Sequence, residues 1–76
     1  MNNKRRDVLK RAIGLLENAS DLVSQALDAE QDCLDNMPEN LQESERYQKM
    51  ESAIDKLEEA TEQIDGAKGS IEEASE

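Results

Sequence analysis

The chain contains no histidine, no tryptophan and no phenylalanine, and only one cysteine, one proline and one tyrosine. Each scarcity excludes something. Without histidine there is no His-based triad, no imidazole acid–base chemistry and no histidine-ligated metal. A lone thiol forms neither an internal disulfide nor a cysteine zinc cluster. A membrane span needs a run of about 20 apolar residues, and none is present. No nucleophile–base pair can be named, so the expectation is a non-enzyme with no cofactor and no metal. At 76 residues the chain makes one small domain, residues 1–76.

Acid is what the sequence has in quantity. Nineteen Asp and Glu oppose nine Lys and Arg, a net charge of −10. Residues 1–11 carry Lys4, Arg5, Arg6, Lys10 and Arg11 against Asp7, a net +4, and the remainder is −14. A body this acidic repels nucleic acid and anionic membrane surfaces, so direct binding to either is not expected. Basic protein surfaces are the expected partners. The basic opening resembles a secretion signal, but Glu17, Asn18 and Asp21 interrupt the apolar stretch a signal needs. The expected compartment is the cytoplasm, where Cys33 stays reduced.

Apolar residues recur with helical spacing in both halves. In the first they are Leu9, Ile13, Leu16, Val23, Leu27 and Leu34; in the second, Met50, Ile54, Leu57, Ile64 and Ile71. Between them, Asn36-Met37-Pro38-Glu39-Asn40 interrupts the pattern, because proline disfavours helix at the preceding residue. Asn40 and Ser44 can each cap a new helix, with Ser44 preferred. The spacing therefore predicts helices over about residues 4–36 and 44–75, joined by a loop over residues 37–43. Equal lengths and a short connection imply an all-α antiparallel hairpin.

A seven-residue count sets the expected contact. Leu9, Leu16 and Val23 fall in one row, with Ala12, Ala19, Ala26 and Cys33 in its companion row. In the second helix Met50, Leu57, Ile64 and Ile71 accompany Ala53, Ala60, Ala67 and Ala74. Large residues alternating with small ones predict a close, coiled-coil-like packing. That phase leaves Val8, Leu15 and Leu22, with Ile13, Leu27 and Leu34 on the other flank, beyond the reach of one neighbouring helix. The expectation is self-association into a homodimeric four-helix bundle, with these six residues as the oligomer or partner interface.

Other motifs reduce to solvated surface. Asp28, Glu30, Asp32 and Glu39 superficially match a calcium loop, but Cys33 stands where the sharp turn needs glycine. Asp55, Glu58, Glu59, Glu62 and Asp65 form a continuous acidic face on the second helix. Gly66 and Gly69 are expected on that helix's outer side, weakening its last two turns.

The turn Pro38-Glu39-Asn40-Leu41-Gln42-Glu43-Ser44-Glu45-Arg46, followed by Met50-Glu51-Ser52-Ala53-Ile54-Asp55-Lys56-Leu57-Glu58-Glu59-Ala60, resembles short acidic helical proteins of phages and prophages of Gram-positive bacteria. These carry Pro-Glu-x-Leu-Gln-x-Ser-Glu-Arg and then Met-Glu-x-Ala-Ile-Asp-x-Leu-Glu-x-Ala. The resemblance covers residues 36–60. It implies a phage accessory protein working in the host cytoplasm, and supplies no catalytic residue. Pro38, Leu41, Gln42, Ser44 and Arg46 are the positions carried over, either closing the hairpin tip or forming a contact site. The function expected is an interaction module that binds, and in one reading inhibits, a host protein. The alternative is an acidic nucleic-acid mimic that occupies the groove of a nuclease or CRISPR effector.

Overall fold

The computed structural model describes residues 1–76. Helix α1 runs Asn3–Asp35, a single 3-10 turn spans Glu39–Leu41, and helix α2 runs Glu45–Ala74. There is no strand. The two helices pack side by side as a hairpin measuring 59 × 15 × 12 Å. Its radius of gyration, 17.4 Å, exceeds the roughly 11 Å of a compact chain of this length. The molecule is a rod.

Local chemistry sets the helix ends. Asn2 is extended, and its Oδ1 accepts the Arg5 N–H at 2.9 Å, opening α1. Asn36 closes it, donating its backbone N–H and its Nδ2 to the Asp32 carbonyl at 3.1 and 2.8 Å. Pro38 then turns the chain, and its carbonyl accepts the Leu41 N–H at 2.9 Å. Ser44 is extended, and its Oγ accepts the Tyr47 N–H at 3.2 Å. That is the cap expected of it; the hydroxyl satisfies one of the free donors at a helix start. Gly66 and Gly69 do not end α2, which stays helical to Ala74, and a Cβ at either position would meet nothing within 4 Å, as on an outer side.

The phase of the contact differs from the large-plus-small expectation. The half-buried residues of α1 centre on a row in alternating steps of three and four, Arg6, Leu9, Ile13, Leu16, Ser20, Val23, Leu27, Glu30 and Leu34, which Met37 continues past the helix end; Ala12, Ala19 and Ser24 are half-buried at its margins. On α2 the row is Tyr47, Met50, Ile54, Leu57, Thr61, Ile64, Lys68 and Ile71, continued by the cap Ser75, with Ala53, Ala60 and Gly69 half-buried outside it. The Leu9 and Met50 rows do face the partner helix. Their companions are the Ile13 and Ile54 rows, not the alanine rows. The alanine rows lie at the seam's edge: Ala12, Ala19, Ala53 and Ala60 are half-buried, and Ala26, Cys33, Ala67 and Ala74 are exposed. At 100° per residue each helix is rotated about 50° from the expected phase. The reason is energetic: burying an isoleucine or leucine is worth about 1.5–3 kcal/mol, far more than burying one alanine methyl.

One polar contact ties the open end. Arg6 Nε donates to the Ser75 carbonyl at 2.9 Å, the only side-chain hydrogen bond that joins the two helices. It delivers a cation to the negative end of the α2 dipole, which has no basic residue in its own last turn. The basic start of α1 and the acidic end of α2 therefore meet, through a carbonyl and not an ion pair. The two ion pairs, Lys49–Glu45 and Lys56–Glu59, lie within α2.

This contact also sets the register. Counting inward from Arg6 and Ser75 brings Ser20 level with Thr61 and Leu27 level with Ile54. Arg6, Ser20, Glu30, Thr61 and Lys68 interrupt the apolar seam. Ile54 alone is buried, at 5% exposure.

Candidate functional site

The seam divides the hairpin into two unlike sides. In an antiparallel pair, the residue just before each inner row looks toward the same side on both helices. The Ala12, Ala19, Ala26, Cys33 row of α1 therefore shares a side with the Arg46, Ala53, Ala60, Ala67, Ala74 row of α2. The recess beside the turn agrees, because Cys33 and Arg46 both line it, together with Pro38 and Leu41. Outside these rows lie Val8, Leu15, Leu22 and Ala29 on α1, and Lys49, Lys56, Gln63 and Ser70 on α2. Apart from Arg46, Lys49, Lys56 and Gln63, this side is apolar or small-residued.

The opposite side carries acid. Glu51, Asp55, Glu58, Glu59, Glu62, Asp65 and Glu72 are all exposed along α2, and Asp7, Asp21, Asp28 and Asp35 are exposed along α1. The wheel positions of the five acids expected to form a face fall within about 120° of arc. They stand apart from the apolar rows. No three Cys, Asp or Glu side chains converge as a metal-ligand group.

The six expected interface residues separate into two sets. Val8, Leu15 and Leu22 are 49, 69 and 65% exposed. Ile13, Leu27 and Leu34 are half-buried and lie in the seam with α2. The structure thus assigns them to the hairpin's own contact. The rotation of about 50° that moved the Ala12, Ala19, Ala26 and Cys33 row to the seam's edge drew these three in. Cys33, expected as a small core residue, is exposed.

Two features escaped the sequence reading. Gly14 leaves a notch in α1: a Cβ built there meets nothing within 4 Å. A shallow groove runs past it, lined by Val8, Ala12 and Leu15 with Arg11, Glu17, Asn18 and Asp21. A glycine next to an exposed leucine was the available signal. The other is the Arg6 tie to Ser75, which no local pattern announces.

At the turn, Ser44 is the α2 cap and is half-buried, so its part is structural. Pro38, Gln42 and Arg46 are exposed, and Leu41 is 43% exposed. No helix is long and apolar enough to cross a membrane. The chain matches no protein-family model, no curated protein and no solved structure.

Proposed function

We propose that this hairpin is a non-enzymatic protein-interaction module that self-associates through the apolar side of α1 and presents its acidic side to a basic surface of another protein. The observation that carries the reading is the exposed row Val8, Leu15, Leu22 on a chain whose single buried residue is Ile54. The accessible surface supports it: the chain exposes 5756 Å², against about 4,650 Å² for a typical folded monomer of this mass. Covering each leucine is worth about 1.5–3 kcal/mol. A second hairpin offers that cover as a homodimeric four-helix bundle. The turn's resemblance to phage proteins makes a host protein the natural target, with inhibition as one reading of the binding.

Sedimentation equilibrium tests self-association. Wild type is expected at twice the chain mass of 8.5 kDa, and Leu22→Glu at the single-chain mass with its helicity retained. A wild-type chain that stays monomeric at every concentration refutes the proposal.

Exposure of Asp55, Glu58, Glu59, Glu62 and Asp65 on one side favours a second reading, the nucleic-acid mimic. Its mark is an affinity that collapses between low and moderate salt, because exposed charges farther apart than a Debye length are screened. Binding lost in Leu15 or Leu22 variants, yet indifferent to salt, excludes it.

A further inference from the structure

We propose that the second copy lies antiparallel along α1, with a two-fold axis crossing that helix between Ser20 and Asp21. This rests on the self-association proposed above and fixes its geometry. The rows of α1 next to the seam form a second stripe: Val8, Ala12, Leu15, Ala19, Leu22, Ala26, Ala29 and Cys33, again in alternating steps of four and three, with Ala12 and Ala19 half-buried on its inner edge and the other six exposed. Its centre lies about 100° around the helix from the seam with α2, close to the right angle between two neighbours of a corner helix in a four-helix bundle.

The stripe is complementary to its own reverse. Reversed about its midpoint, Val8 comes level with Cys33 of the second copy, Leu15 with Ala26 and Leu22 with Ala19, while Ala12 comes level with Ala29. Every large residue meets a small one. In the parallel alignment Leu15 would meet Leu15 and Leu22 would meet Leu22, with the alanines facing alanines across a gap.

Charge follows the same reversal. The row flanking the stripe reads Lys4, Arg11, Asn18, Gln25 and Asp32. Reversed, Arg11 comes within about two residues of the level of Asp32 of the second copy, and Asn18 within about two of Gln25. A parallel arrangement would stack Lys4 on Lys4 and Asp32 on Asp32. The α2 side agrees independently. Its outward stripe runs from Lys49 to Ala74 and is centred between Thr61 and Glu62. The hairpin register brings Thr61 level with Ser20, so one axis serves both helices and the bundle closes. On α2 that axis brings Lys49 beside Glu73 of the second copy.

Disulfide trapping tests the arrangement. In the antiparallel dimer the two Cys33 thiols are about 37 Å apart, so wild type under mild oxidation is expected to remain non-covalent. Val8→Cys, an exposed position, places a thiol level with Cys33 of the second copy. It is expected to form covalent dimer on the order of a hundredfold faster than wild type, with peptide mapping joining the introduced thiol to Cys33. Ala12→Cys combined with Ala29→Cys in a Cys33→Ser background repeats the test one layer inward, with circular dichroism reporting the fold. Rapid Cys33–Cys33 linkage in wild type, or linkage of like positions in the variants, overturns the antiparallel arrangement. So does a dimeric mass with no cross-link in either variant. Single-chain mass before oxidation overturns self-association itself.

Discussion

Ile54→Ala is the substitution that measures how the hairpin is held. Ile54 is 5% exposed, the one buried side chain, and it stands level with Leu27 in the middle of the longest apolar part of the seam. The change removes three carbon atoms from that place. At about 0.8 kcal/mol per buried methylene the transfer loss is about 2.4 kcal/mol. A cavity term would add to this, but a contact one side chain deep collapses or wets easily, which keeps the total near the low end of the 2–5 kcal/mol range for buried Ile→Ala. For a chain of this size, about 2.5 kcal/mol corresponds to a fall of roughly 10–20 °C in Tm. Thermal unfolding followed by circular dichroism at 222 nm gives the value directly. The comparison is Leu15→Ala, at a dilution where the chain is monomeric. That residue is 69% exposed, so its loss is expected to shift Tm by no more than about 3 °C in the monomer, while weakening association at higher concentration. Equal shifts for the two variants under dilute conditions would refute the assignment of Ile54 to the seam and Leu15 to the outside.

Three further outcomes follow from single contacts. Ser44→Ala removes the oxygen that accepts the Tyr47 N–H; a loss of about 1 kcal/mol in urea unfolding is expected, and no change would mean that the cap is idle. Arg6→Gln withdraws the charge at the Ser75 carbonyl; hydrogen exchange is expected to speed up at the Ser75 amide and its neighbours while amides near Ile54 are unaffected, and unchanged exchange throughout would contradict the tie. Gly66→Ala adds a Cβ that meets nothing within 4 Å in the interior of α2; a gain of about 1 kcal/mol is expected, and destabilisation would show that something packs on that position.

What could be read beforehand was what is local. The Pro38 break, the Ser44 cap and the two helices each depend on residues within a turn of one another, and their positions shift by only a residue or two in the structure. The rotation of the helices was not local. Alanine and isoleucine both count as apolar, and the seven-residue repeat accommodates either the Ala12 row or the Ile13 row beside Leu9. Only weighing volume against volume picks Ile13, Leu27 and Ile54. The same weighing separates Leu15 and Leu22 from Leu27 and Leu34, which the sequence placed together on one broad stripe. Arg6 and Ser75 lie at opposite ends of the chain, and no periodicity connects them.

The pairing of Arg6 with Ser75 makes this rod a closed loop but for a short gap. A few glycines would bridge it, and the chain could then be reopened between Pro38 and Glu43 without cutting either helix. Such a permuted version would keep the seam, the alanine rows and the acidic side intact. It would move the free ends to the far tip, where a probe attached to them would report on the other end of a 59 Å lever.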